Sequence, residues 1–194
     1  MRYDDLVTAI ADTLVRQDLN TVIPLWIKMA GDRINRDLRH WRMEKREILT
    51  ADARYSSLPS DYIEATRVAL VDGDTLDLVP QSRIADLING VGSPQFFAIT
   101  GGDIELFPRP SEDVEIEIAY YAAIPALSAT SQTNWLSETA PEVYLYGALI
   151  HSAPYLAEDQ RASIWADLYR SAIDALNAEN KAARWPGRLV MRHA

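Results

Sequence analysis

The 194-residue chain contains no cysteine. That excludes structural disulfides, thiolate zinc sites and cysteine nucleophiles together, and it fits a protein made in a reducing cytoplasm. Histidine is scarce, with only His40, His151 and His193, and neither His40 nor His151 stands at a metal-ligand spacing such as H-E-x-x-H. Long apolar runs are missing as well. No stretch approaches the roughly 20 residues that cross a bilayer, and the opening segment carries charges every few residues, unlike a signal peptide or a membrane span. Positive charge is in short supply: 19 Lys and Arg against 28 Asp and Glu leave a formal charge of −9. A surface that grips a nucleic-acid backbone needs clustered Lys and Arg. This balance reads instead as ordinary solubility, or as a surface that DNA passes without sticking.

What is present falls into a helical start, a strand-rich middle and a helical end. Leu6, Ile10 and Leu14 recur every four residues, with Val7 beside them, as on one face of an amphipathic helix, and Asp4 and Asp5 suit its first turn. A second helix is expected from Pro24, with Trp26, Ile27, Ala30, Ile34 and Leu38 as its apolar stripe. The middle reads as hairpins: 68–71 and 76–79 around Asp72-Gly73-Asp74, with Gly73 at positive φ, then 96–100 and 103–107 around Gly101-Gly102. Residues 112–121 alternate acidic and apolar as a half-buried strand, and 81–89 read as a short helix closed by Gly90. Such short sequential strands imply a small antiparallel sheet. Beyond a Ser/Thr-rich loop at 126–133, Thr139 is a plausible N-cap. The helix that follows runs through Val143, Leu145, Tyr146, Leu149 and Ile150, with a kink or stop at Pro154. A last helix is expected from Glu158 or Asp159, burying Trp165, Leu168, Tyr169, Ala172, Ile173 and Leu176.

The search for chemistry finds little. His151-Ser152 suggests a hydrolase pair, yet adjacent helical residues point in different directions and no G-x-S-x-G turn exists. His40, near a helix C-terminus, reads as a dipole partner. Asp72 to Asp77 resembles a calcium loop, but the sixth and twelfth positions hold Asp77 and Arg83, where an EF-hand needs Gly and Glu; turn chemistry explains it better. Gly101-Gly102 forms no phosphate-cradling loop. Glu112, Asp113, Glu115 and Glu117 read as a uniformly acidic, solvated or pore-facing surface. The expectation is therefore no catalytic residue, no cofactor and no metal. The segment from Lys181 onward is basic on an acidic chain and holds Trp185 and Met191. It reads as a frayed terminus or as a docking peptide, since Trp and Arg often anchor interfaces and Met adapts to irregular surfaces.

Several segments carry a resemblance: Leu58-Pro59-Ser60-Asp61-Tyr62, residues 104–110 and 118–128, Thr133-Asn134-Trp135-Leu136, Tyr144-Leu145-Tyr146-Gly147-Ala148 and Ala153-Pro154-Tyr155-Leu156. Together they resemble the head-to-tail adaptor, or connector, proteins of tailed bacteriophages, of the short-tailed type. The resemblance implies an α+β fold: a helical bundle from N- and C-terminal helices bearing the small antiparallel β-sheet as an insertion. The domains would be 1–42 (N-terminal helices), 43–125 (β-rich insertion), 126–183 (C-terminal helices) and 184–194 (an extended docking tail). It also implies a structural virion protein at the head–tail interface, made in the host bacterial cytoplasm, with no membrane partner. This protein would form a homo-oligomeric, usually dodecameric ring between the portal protein and a tail nozzle or tube protein, extending a channel through which duplex DNA passes without specific binding. Carried onto this chain, Arg184, Trp185, Pro186, Arg188, Leu189, Val190 and Met191 would dock on the portal, and Trp135, Tyr144, Tyr146, Tyr155 and Trp165 would lie at subunit interfaces. Two other readings stay open: a different tail-completion or host protein-binding module, and a small hydrolase using His151.

Overall fold

The computed structural model describes residues 1–51, 54–80, 82–84, 90–156 and 161–184. By internal contacts the chain divides into two units, residues 42–123 and the described residues on either side of them.

The flanking unit is helical. Helix α1 (Tyr3–Leu14) buries Leu6, Ile10 and Leu14. It ends at Val15, whose φ of 56° is left-handed and whose side chain is 84% exposed. Helix α2 (Ile23–Asp37) takes Pro24 into its first turn and buries Trp26, Ile27, Ala30 and Ile34. A short helix α3 (Trp135–Thr139) leads into α4 (Pro141–Ser152). Thr139 is not the N-cap of α4: it is the last residue of α3 and donates its hydroxyl to the Trp135 carbonyl at 2.8 Å. The N-cap of α4 is Ala140, which offers no side-chain cap; Asn134 caps α3 instead, accepting the Ser137 amide at 2.9 Å. After Ser152 the chain turns at 153–156, as Pro154 lacks the amide a further turn needs. Helix α5 (Ala162–Arg184) closes the unit, burying Trp165, Tyr169, Ile173 and Leu176. The expected start at Glu158 or Asp159 lies outside the described residues. Leu168, expected inside, is 40% exposed.

Helix α4 sits among the others, touching α1, α2, α3 and α5. Its sequence allows this because small residues line it. A Cβ built on Gly147 would lie 3.0 Å from the Ala30 Cβ of α2 and 3.5 Å from the Tyr169 ring of α5. Gly147 thus lets two backbones approach as side chains otherwise forbid.

The middle unit holds seven described strands in two sheets. The first orders β1 (Glu44–Ala51), β7 (Val114–Ala122) and β3 (Tyr62–Leu70), all antiparallel. The second orders β2 (Tyr55–Ser57), β6 (Asp103–Phe107), β5 (Phe96–Thr100) and β4 (Asp77–Leu78), and its β4–β5 pair is parallel. Val68, Ile116, Ile118 and Tyr120 from one sheet and Phe97, Ile104 and Leu106 from the other share one core.

These findings overturn the expected helical bundle with one small antiparallel insertion. The chain is 42% helical and 26% strand, a mixed α+β fold not clearly a bundle. The reason is visible at 70–78. The tight turn forms, with the Leu70 amide on the Asp74 carbonyl at 3.1 Å. However, only the single bridge Ala69–Thr75 continues the expected hairpin; β4 then leaves β3 and pairs with β5, founding a second sheet. Gly73 does not take positive φ. A Cβ there would stand 3.0 Å from the Leu70 Cβ, a tight contact that the Leu70 side chain would have to relieve by shifting. The Gly101-Gly102 hairpin does form, with φ of 63° and 98°, the left-handed pair that a two-residue turn demands. Of the segment 81–89, residues 82–84 are helical and the remainder lies outside the described residues.

Two substitutions test these packing arguments by thermal or chaotrope unfolding. Val15→Gly removes a left-handed strain of roughly 1–2 kcal/mol, partly offset by the freer unfolded chain, and is expected to raise stability by about 1 kcal/mol. Gly147→Val forces α2 and α4 apart and is expected to cost about 1–3 kcal/mol, with a Tm lower by several degrees.

Candidate functional site

Two of the residues that invited catalysis, Ser152 and His40, are engaged in packing. Ser152 is fully buried and donates its hydroxyl to the Leu149 carbonyl at 2.8 Å, so it faces its own helix and not His151. His40 is buried, stacked on the Trp135 ring with centroids 5.2 Å apart, and its Nε2 lies 3.9 Å from Glu179. Among the described residues no group of three or more His, Asp or Glu is placed to hold a metal ion, and no helix is long and apolar enough to cross a membrane. The expected acidic face of β7 is only partly acidic: Glu117 accepts an ion pair from Arg67 on β3, because the adjacent strand brings the opposite charge across.

The segments that carried the resemblance prove to be joints. In the helical unit Asn134 uses both ends of its amide. Its Oδ1 accepts the Ser137 amide, and its Nδ2 donates to the Pro125 carbonyl at 2.7 Å and the Tyr144 hydroxyl at 2.9 Å. One Asn thus ties the incoming loop, the start of α3 and the first turn of α4. In the middle unit Asp61 does the same. It accepts the Tyr120 hydroxyl at 2.9 Å and the Lys45 ammonium, while its own carbonyl takes the Ala123 amide at 2.7 Å. Burial pushes the Asp61 carboxyl up, but the hydrogen bonds from Lys45 and Tyr120 outweigh it and hold the group below its ordinary range. Burial, with Asp61 beside it, raises the Tyr120 phenol. Both networks hold chain segments in register. No role for Asp61 was read from the sequence, and the only signal was its place in the Leu58–Tyr62 motif.

The five aromatic residues expected at subunit interfaces are placed unevenly. Tyr144 and Trp165 are buried inside the unit, and Trp135 and Tyr146 are half-buried. Tyr155 is 58% exposed and meets Trp26 edge to face at 5.7 Å. Of the segment expected to dock on a portal, Arg184 ends α5 with an exposed side chain; Trp185, Pro186, Arg188, Leu189, Val190 and Met191 lie outside the described residues. Four exposed apolar residues went unnoticed in the sequence: Leu25 and Met29 on α2, and Ile164 on α5 with Leu168, which had been assigned to the core. Their signal was a second apolar spacing, out of phase with the buried one.

His151 gives a pH-dependent prediction. Its Nε2 is buried with no hydrogen-bond partner among the described residues, and burial, then Arg33 and Arg36, push its pKa below the ordinary value. The unfolded chain takes up this proton near pH 6.5 while the folded chain resists. Stability is therefore complete above about pH 6.5 and falls as the pH drops below it. His151→Gln is expected to flatten that slope between pH 7 and 5 in pH-resolved thermal melts.

No curated protein matches this chain. A family model does, over residues 1–192: it describes the SU10 adaptor protein. With that model aligned along almost the whole length, the chain belongs to the SU10 adaptor protein family, a family of structural phage adaptors.

Proposed function

We propose that this chain is the head-to-tail adaptor of a short-tailed phage, assembling as a ring, dodecameric in the simplest case, between the portal and a tail nozzle or tube protein. The observation that carries the reading is the family match across residues 1–192. The ring lies in the virion and extends the DNA channel. The formal charge of −9 supports this role, since like charge on a channel wall repels the phosphate backbone and prevents trapping of the passing duplex. Segment 184–194 docks on the portal. Its Arg184, Arg188 and Arg192 and its apolar Trp185, Leu189, Val190 and Met191 combine the residue types that anchor interfaces. Tyr155 contributes at the subunit boundary, while Tyr144, Trp135, Tyr146 and Trp165 hold the helices that form it.

The test is incubation with the portal of the same phage, followed by native mass spectrometry and electron microscopy. The full chain is expected to give a closed ring on the portal, and a chain lacking 185–194 is expected to fold with an unchanged melt yet lose portal binding. A full chain that stays monomeric beside its portal overturns the ring. Undiminished binding by the shortened chain overturns the docking assignment.

A further inference from the structure

Helices α2 and α5 each carry two apolar stripes. The first is buried: Trp26, Ala30 and Ile34 on α2, and Trp165, Tyr169, Ile173 and Leu176 on α5. The second is exposed: Leu25 at 54% and Met29 at 40% on α2, and Ile164 at 58% and Leu168 at 40% on α5. At 100° per residue the exposed stripe stands roughly 120° around from the buried one, in the same rotational sense on both helices. Both helices run antiparallel to α4: Gly31 faces Tyr144 while Trp26 meets Tyr155, and α5 returns along α4 after the turn at 153–156. An equal rotation in one sense, from two helices that rest on the same third helix, turns the two exposed stripes to different sides of the unit.

The two stripes match each other. On α5 the pattern continues through the exposed Ser171 to the exposed Ala175 and Ala178, giving 164, 168, 171, 175 and 178, the alternating three- and four-residue spacing by which one helix seats against another. Positions 25, 29, 32 and 36 on α2 repeat the spacing of 164, 168, 171 and 175. The charges beside them are opposite: Lys28 stands to Leu25 and Met29 as Asp167 stands to Ile164 and Leu168, and all six side chains are exposed. Arg36 on α2 and Asp174 on α5 extend the complement, while the exposed Asp32 and Arg170, the latter paired with Asp167 at 3.0 Å, carry the reverse charges on the same two helices. Two different faces of one chain that fit each other make a heterologous contact, which closes into a ring when the rotation allows. A face that met its own copy would set Lys28 against Lys28 or Asp167 against Asp167.

We propose that the outer stripe of α2 (Leu25, Met29, Lys28) in one copy docks on the outer stripe of α5 (Ile164, Leu168, Asp167) in the next, and that this helix-to-helix contact is the joint between neighbouring subunits. The proposal rests on the ring reading above and names the surfaces that form it. The absence of cysteine from the chain makes it directly testable. Met29→Cys and Leu168→Cys are introduced singly and together into the full chain, assembled on the portal, oxidised and run without reductant.

The double variant is expected to give a ladder of linked subunits rising to the ring number, and each single variant to stop at monomer or dimer. Rings that form by native mass spectrometry while the double variant links no further than the single ones overturn the proposal and leave the ring reading standing. Failure of the unsubstituted chain to form any ring overturns both. As a second arm, Lys28→Glu is expected to reduce ring yield at least several-fold with an unchanged melt, and adding Asp167→Lys in the same chain to restore it. An undiminished yield from Lys28→Glu, or no recovery in the double variant, counts against the pairing.

Discussion

The helical unit is organised by the close approach of α2 and α4, where a Cβ on Gly147 would stand 3.0 Å from that of Ala30. Everything else in that unit is arranged around this contact. With the two backbones so near, the large residues fill the flanks: Tyr144 lies over Gly31, and Tyr169 closes on Gly147 from α5. The hydroxyl of Tyr144 then falls within reach of Asn134, and that of Tyr169 donates to Asp37 at 2.9 Å. A small residue at one position thus decides where two buried phenols place their oxygens. Buried polar groups are retained only where a partner is waiting.

The middle unit solves a different problem. Two short, twisted sheets share a core, and strands of two to nine residues give each limited hold on the other. Asp61 compensates. Its carboxylate gathers Tyr120 from the central strand β7 and Lys45 from the edge strand β1, and its carbonyl holds the chain where β7 leaves the sheet. Removing one partner of such a cluster leaves a half-buried charge unsatisfied, which is why the cluster acts as a unit.

These joints bear on what the molecule does. A family of phage adaptors works by holding shape between partners, and the polar residues of this chain are used accordingly. Asn134 and Asp61 are committed to neighbouring segments, Ser152 to the last turn of its own helix, and the imidazole of His40 is packed against an indole. The surface is where unused apolar area remains. Leu25, Met29, Ile164 and Leu168 stay exposed on two helices that each bury another apolar stripe.

Periodicity alone determined α1, α2 and the buried side of α5 apart from Leu168, since a 3.6-residue rhythm registers on any surface that hides one face from water. The Gly101-Gly102 hairpin was equally legible, because only glycine accepts that turn without strain. The family was legible as well, from the Asn134, Tyr144 and Leu58–Tyr62 segments. What the tertiary structure decided was pairing. Whether 76–79 returns to β3 or crosses to β5 depends on strands distant in sequence, and the second sheet arose from that choice. Leu168 has the same polarity as a core residue, and only the position of α4 leaves it outside. Asp61 reads as an ordinary turn residue until β7 brings Tyr120 to it. Local rhythm records which face of an element avoids water; it carries no record of which other element, or which other copy, will cover that face.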